Sequence, residues 1–416
     1  MKVLVVGGGG REHALVWKIS QSKNVDKIYC APGNGGIRQI AECVDIPAEN
    51  VEGLLEFAFE NKIDLTVVGP EGPLTLGIVD RFRAAGLRVF GPDAKGAMLE
   101  GSKAYSKDFM IRHGIPTAKY ETFHEAGKAK EMIDQFGFPV VIKADGLAAG
   151  KGVIIAGTKE EALEAITYVM EDKKFGEAGA RVVVEEFLEG KEASILAFLD
   201  GKIAIPMVSA QDYKRALDGD GGLNTGGMGA ISPAIHYSEE VRKQAEETVI
   251  QKTVEALKAE GIDYHGVLYF GLMLTKQGPK VIEFNARFGD PETEMVLMRL
   301  ETDIVRIFNA CIDGKLGELD IKWSPKTAVC VVAAAGGYPG EFVKGHEITG
   351  YENKGEHAVV FHAGTKMENK AILTNGGRVL VVSSTGDSAE SARSYVYERL
   401  SKISFTNMHF RKDIGI

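Results

Sequence analysis

The sequence predicts an α/β protein organised as three successive units, and three observations carry that expectation. Short β-branched runs at residues 2–6, 27–30, 65–68 and 87–90 alternate with helix-like segments, as in a parallel sheet with crossover helices. The 416 residues exceed one ordinary hydrophobic core and suggest roughly three domains. The 50 glycines gather in loops between strand-like runs, without a collagen period or a low-complexity tract.

The elements follow in order. The parallel unit is expected over 1–102. From Lys103 to His113 the pattern is helical and stops at Gly114, with Pro116 two residues beyond. This opens a second unit, expected over 103–325. Inside it, about 121–188 reads as a small α/β subdomain: strand FPVVIKA, a glycine loop, strand GVIIAG, a helix entered through Thr158-x-x-Glu161, and strand RVVVEEF. Residues 191–210 read as two strands joined at Asp200-Gly201. The stretch from Gln211 to Gly229 is polar, glycine-rich and too long for an idle connection. A helix capped by Ser238 runs to about Ala259, and strands follow near 265–274 and 279–285. After Trp323-Ser324-Pro325 a third α/β unit, 326–416, ends in a helix opening at Asp387-x-x-Glu390.

Composition narrows the function. With 44% hydrophobic and 26% charged residues the chain is expected to fold rather than remain disordered. Its 49 Lys and Arg against 58 Asp and Glu leave a net charge of −9, which supplies no bulk attraction to nucleic acid or an anionic membrane. The longest apolar run, 328–335, is far below the roughly 20 residues of a membrane span. The start MKVLVV passes directly into GGGG, unlike a signal peptide, so a cytoplasmic location is expected. Cys30, Cys43, Cys311 and Cys330 are scattered and read as core residues rather than a metal or disulfide framework.

Four segments concentrate chemistry. The first, VLVVGGGGREHAL, places a glycine turn between strand and helix, an arrangement suited to phosphate. It lacks the third glycine of the dinucleotide fingerprint, and no acidic residue closes the next strand, which argues against a nicotinamide cofactor. The second, KADGLAAGKGV, fails the Walker pattern in its glycine spacing, and Gly152 stands where Ser or Thr is required. Lying between two strands, it reads as a flap that closes over phosphates, with Lys143 beside it. The third, VEEFLEGKE, could offer adenine a hinge backbone and ribose the Glu192 carboxylate; a solvated acidic turn is the plainer alternative. In the fourth, KVIEFNARFGDPETE, Glu283 and Asn285 share a strand face and present two hard oxygens to magnesium, and Arg287 follows on the same face. A strand-end ion pair is the alternative for these residues.

Together with QDYKRALDGDGGLNTGGMGA at 211–230, these segments resemble the ATP-grasp superfamily of carboxylate–amine ligases, and within it the phosphoribosylamine–glycine ligases. The likeness spans essentially the whole chain. Glu294, where Gln is usual, and Met298, where Pro is usual, are the departures.

The resemblance implies an ATP-grasp fold between an N-terminal parallel α/β domain and a small C-terminal α/β domain. It implies ATP-dependent joining of glycine to 5-phosphoribosylamine through glycyl phosphate, in purine biosynthesis, with magnesium or manganese. It also implies roles for particular residues. Lys103, Lys143, Gly146, Gly150, Gly152 and Lys214 serve the ATP phosphates; Glu185, Glu186 and Leu188 line the adenine hinge, and Glu192 takes the ribose. Glu283 and Asn285 hold metal. Arg287, Asp212, Asn224, Thr225, Gly226, Gly227 and Met228 surround glycine or the acyl phosphate. Gly8, Gly9, Gly10, Asn34, Glu71 and Pro73 receive the phosphoribosyl group. The expected partners are these small molecules, with no nucleic acid and no membrane, and the expected working unit is a monomer. A biotin-dependent carboxylase would share flap, hinge and metal pair, but QDYKR and RFGDPE favour the glycine enzyme.

Overall fold

Five parallel strands open the computed structural model, which describes residues 1–147, 152–172, 174, 176–352 and 357–416. Their spatial order is Glu42–Cys43, Lys27–Pro32, Lys2–Gly7, Leu65–Val68 and Val89–Phe90. Lys2–Gly7 pairs in parallel with Lys27–Pro32 on one side and Leu65–Val68 on the other. Chain direction across the sheet therefore reverses there, so the crevice above its carboxyl edge is the natural ligand position. The run VLVV is wholly buried because helices cover both faces of such a sheet.

The middle of the chain forms two antiparallel sheets. One orders Ala204–Pro206, Lys191–Asp200, His265–Thr275 and Gly278–Asn285. The other orders Tyr120–Phe123, Val182–Glu186, Val140–Ala144 and Val153–Ala156. The helix entered at Ser238 runs Glu239–Ala245 and Gln251–Ala259 with a π-turn, Glu246–Ile250, between them. It buries Ala245, Val249, Ile250 and Leu257 against Leu268, Phe270 and Phe284 of the first sheet. Burying each large side chain of this kind is worth about 1.5–3 kcal/mol. Thr158 caps Lys159–Ile166 by accepting from the Glu161 amide, while the Glu161 carboxylate accepts from the Gly157 amide.

A third sheet orders Gln211–Asp212, Gly229–Ser232, Thr327–Ala334, Arg378–Gly386 and Ala358–His362. Its first two strands, Gln211–Asp212 and Gly229–Ser232, bracket the glycine-rich 211–229 stretch, which thereby hangs on the C-terminal unit. The last helix, Ala389–Leu400, packs Ala392, Val396 and Leu400 onto this sheet. Its cap is Ser388 with Ser391, not the expected Asp387 and Glu390: each serine hydroxyl accepts from the other's backbone amide. The strand expected over 87–90 is confined to Val89–Phe90, since only these two residues pair with Leu65–Val68. All four cysteines are free thiols, three of them buried. Among the described residues no helix is long and apolar enough to cross a membrane.

Candidate active site

The site grows from strand Gly278–Asn285. Its register against His265–Thr275 skips Ile282, so this residue forms a bulge, and a bulged residue leaves the ladder. The Ile282 carbonyl instead accepts from Lys143 Nζ at 3.1 Å. Beyond the bulge Glu283 and Asn285 lie on one face, as the spacing predicts.

Around Glu283 the chain gathers cations. Lys214 Nζ lies 3.7 Å from Glu283 Oε1 and 3.0 Å from Glu192 Oε2. Burial alone would raise the Glu283 carboxyl, but Lys214, Lys143 and Lys103 outweigh it and hold the group below its ordinary value. Burial lowers Lys103, with Glu283 opposing. In Lys214 the balance reverses: Glu192 and Glu283 overcome burial and hold it well above the ordinary lysine range. The result is an ionised carboxylate inside a ring of ammonium groups, a charge pattern suited to a polyanion bridged by a divalent ion.

Metal fit follows from the donors. Among the described residues no cluster of three or more His, Cys, Asp or Glu could cage an ion. Glu283 supplies one ionised oxygen, and Asn285 donates through Nδ2 to Glu100 at 3.0 Å, leaving Oδ1 as the other. One carboxylate and one amide suit an ion that takes its remaining ligands from water and phosphate, as magnesium does.

Glu185 does something the sequence did not suggest. Its carboxylate is almost fully shielded and lies 2.8 Å from both Lys107 Nζ and Lys143 Nζ. Lys107 also donates to Thr117 Oγ1 at 2.8 Å, and that hydroxyl to the Val281 carbonyl. The Glu185 side chain is thus committed to setting Lys143, while Glu186 accepts from the Lys119 amide at 2.9 Å. Leu188 is half-buried in the turn beyond. At the flap, Gly146 takes a positive φ of 135° and its carbonyl accepts from Lys103 Nζ at 3.0 Å. The Gly152 carbonyl accepts from the Ala144 amide. Gly150 lies outside the described residues. Asp145, which sequence reasoning missed, accepts from Ser102 Oγ and the Ala104 amide and pairs with Arg181.

A second centre forms at Arg287, which pairs with Glu100 at 2.8 Å and with Glu71 at 3.4 Å. Beside it a cavity of about 470 Å³ is lined by Gly7, Gly8, Gly9, Pro32, Pro70 and Asp290, with Arg11, Glu12 and Glu49 also on its wall. It sits at the strand ends where the parallel sheet reverses. The glycine turn is partly spoken for: the Gly9 amide donates to Glu12 Oε2 at 2.6 Å. Glu294, from helix Glu292–Arg299, lies fully buried beneath Gly10, and neither carboxylate oxygen has a hydrogen-bond partner among the described residues. Asn34 is fully engaged, donating to the Gly8 and His362 carbonyls and accepting from the Gly36 and Ile37 amides. Glu71 opens helix Glu71–Thr75, in which Pro73 is buried.

The 211–229 loop reaches between the two centres. Asp212 Oδ1 is buried without a hydrogen-bond partner among the described residues, and burial with Glu292 nearby pushes this carboxyl well above its ordinary range. The Thr225 hydroxyl closes the loop, donating to the Lys214 carbonyl and accepting from the Gly227 amide. Asn224 pairs across a two-stranded ribbon with Arg215, and the Met228 side chain is fully buried. Arg378, also missed, donates to the carbonyls of Gly226 and Asp290 and pairs with Asp290 at 3.0 Å. Nothing local marks Arg378: its partners are about 90 or 150 residues away.

A lysine-lined carboxylate between two antiparallel sheets, beside a glycine-rich segment, is the arrangement of an ATP-grasp enzyme. Family models for phosphoribosylglycinamide synthetase match its N domain at 1–100, its ATP-grasp domain at 101–293 and its C domain at 328–416. The chain belongs to the phosphoribosylglycinamide synthetase family. It is 53% identical over 415 residues to the phosphoribosylamine–glycine ligase of Caldanaerobacter subterraneus subsp. tengcongensis, covering 100% of this chain and 99% of that one. Its identity to the Halalkalibacterium halodurans enzyme of the same name is 51%, over 100% of this chain and 96% of that one. The crystal structure of phosphoribosylamine–glycine ligase from Thermotoga maritima superposes with a TM-score of 0.88 at 36% identity, covering all of both chains. The biotin carboxylase domain of Hydrogenobacter thermophilus 2-oxoglutarate carboxylase, solved with MgADP, shares the fold at 19% identity and a TM-score of 0.77, over 98% of this chain and 91% of that one.

Proposed function

We infer that the chain joins glycine to 5-phosphoribosylamine at the expense of ATP, giving glycinamide ribonucleotide, ADP and phosphate, a step of purine biosynthesis. The observation that carries the chemistry is the convergence of Lys103, Lys143 and Lys214 on Glu283 beside Asn285. A carboxylate is a poor electrophile. Transfer of the γ-phosphoryl group from ATP to a glycine carboxylate oxygen breaks the terminal P–O bond and yields glycyl phosphate and ADP. The amine of phosphoribosylamine then attacks the acyl carbon, and inorganic phosphate leaves as the amide forms. Phosphoryl transfer of this kind depends on positioning and charge neutralisation.

In this reading Lys103, Lys143 and Lys214 neutralise the phosphates, and the flap with Gly146, Gly150 and Gly152 excludes water from the acyl phosphate. Glu185, Glu186 and Leu188 border adenine, the Glu185 carboxylate also setting Lys143, and Glu192 takes the ribose. Glu283 and Asn285 would hold magnesium, or manganese in its place, which supplies Lewis-acid neutralisation of the phosphate oxygens. Arg287, Asp212 and the Asn224–Gly227 segment receive glycine, with Met228 anchoring that segment in the core. The cavity at Gly8 and Gly9 takes phosphoribosylamine, with Gly10, Asn34, Glu71 and Pro73 bracing its wall. The working unit in this reading is a monomer, in the cytoplasm.

Two measurements test this. ADP release should depend on both glycine and freshly generated phosphoribosylamine. Oxygen-18 in the glycine carboxylate should appear in the released phosphate; its absence during amide synthesis overturns the acyl-phosphate route.

A further inference from the structure

Tyr213 and Lys214 link strand Gln211–Asp212 to strand Arg215–Leu217, and their side chains make contacts in different places. Lys214 reaches Glu192 and Glu283, and Asp212 lies near Glu292. Tyr213 meets the end of the chain: its hydroxyl accepts from the Gly415 amide at 3.0 Å, and its ring lies 5.2 Å from the Arg411 guanidinium carbon.

Arg411 is itself unusual, a charged side chain only 1% exposed close to a chain terminus. Each of its three guanidinium nitrogens donates. Nη1 reaches Asp220 Oδ1 at 2.9 Å and the Arg215 carbonyl at 3.1 Å. Nε and Nη2 hold the two Asp413 oxygens at 2.7 Å each. Asp413 in turn accepts from the Gly219 amide at 2.8 Å, Lys412 donates its amide to Asp218 at 2.7 Å, and His409 Nε2 meets the Ala216 carbonyl at 2.8 Å. The segment buries Ile414 in the core of the third sheet, with Met408 and Phe410 packed against it, but apolar packing does not account for its polar contacts. The segment spends a forked cation and several backbone groups on one loop, which also carries Lys214 and Asp212.

We propose that residues 409–415 are a clasp for the 211–224 loop, with Arg411 as a positioning residue that sets where Asp212 stands in the glycine subsite and where Lys214 stands beside the ATP phosphates. The proposal rests on the ligase reading above. It predicts a selective effect, because none of these tail residues lines the cavity at Gly8–Asp290. Loss of the clasp disturbs glycine and ATP handling and leaves phosphoribosylamine handling intact.

Steady-state kinetics of Arg411→Met, Arg411→Lys and Asp220→Ala provide the test. Misplacement of a positioned group by a fraction of an ångström should raise the glycine KM about tenfold in Arg411→Met, with the phosphoribosylamine KM within about twofold of wild type. Arg411→Lys, which keeps the charge but not the fork, should recover part of the loss. Should Arg411→Met fail to fold, Asp220→Ala decides, since that carboxylate is 71% exposed and its removal spares the core; its expected rise in glycine KM is about threefold. Unchanged glycine KM in Asp220→Ala and Arg411→Lys, or a parallel rise in the glycine and phosphoribosylamine KM values, overturns the clasp. Failure of the ligase reading is seen separately, as wild-type ADP release that ignores glycine or phosphoribosylamine.

Discussion

Glu185 and Lys143 meet at 2.8 Å where both side chains are almost fully shielded from solvent. Lys107 takes the second carboxylate oxygen at the same distance. Burial lowers the Lys107 ammonium to about 8, with Glu185 opposing that fall. One carboxylate therefore pairs with two buried lysines and fixes the direction of Lys143.

Replacing Glu185 with Gln should leave both lysines without their anion. Removing one member of a buried ion pair costs about 3–5 kcal/mol, to be read as a lowered urea midpoint. Among the variants that remain folded at assay temperature, KM for ATP should rise about tenfold as Lys143 loses its orientation. Unchanged ATP kinetics would return the trio to a purely architectural role.

Glu283→Ala removes the only carboxylate of the proposed metal pair. Its kcat should fall at least about 100-fold, while glutamine at this position, which keeps an oxygen, should retain part of the rate. A near-normal rate at saturating magnesium would take Glu283 out of the site.

Gly8 adjoins the second cavity, and a Cβ there would stand 2.5 Å from the Gly33 carbonyl oxygen. Backbone cannot swing aside as a side-chain tip does. Gly8→Ala should destabilise the protein by about 1–3 kcal/mol and raise KM for phosphoribosylamine, with KM for ATP preserved. Equal changes in both constants would argue against the cavity as the phosphoribosyl site.

Two buried histidines predict the acid limb of stability. His13 Nδ1 accepts from the His362 amide at 2.8 Å, a contact that requires an unprotonated nitrogen. Burial, then the neighbouring His362, lowers His13 to about 3, and burial lowers His362 to about 4. Unfolded histidine takes its proton near 6.5, so below that pH the unfolded chain binds protons the folded chain refuses. Stability should therefore fall as pH drops from 6.5 toward 4, by about 2 kcal/mol for each histidine at pH 5. Urea midpoints at pH 7 and pH 5 should show the loss, and His362→Gln should lessen it; a flat wild-type profile would contradict the burial argument.

Local order was legible in the residues themselves. Leu65–Val68, the Lys103–Arg112 helix and the shared face of Glu283 and Asn285 follow from periodicity and caps within a few residues. So did the glycine turn between strand Lys2–Gly7 and helix Gly10–Ile19, and the family. What only the tertiary structure decided is the partner of each polar group: Glu185 on Lys107 and Lys143, Asn34 spent on Gly8 and His362, Met228 in the core, Arg378 on the Gly226 and Asp290 carbonyls, and Arg411 on a loop some 190 residues earlier. A buried charge or amide must find a counterpart or cost several kcal/mol, and which group answers depends on how distant segments pack. Propensity is a property of neighbours in sequence, whereas satisfaction is a property of neighbours in space.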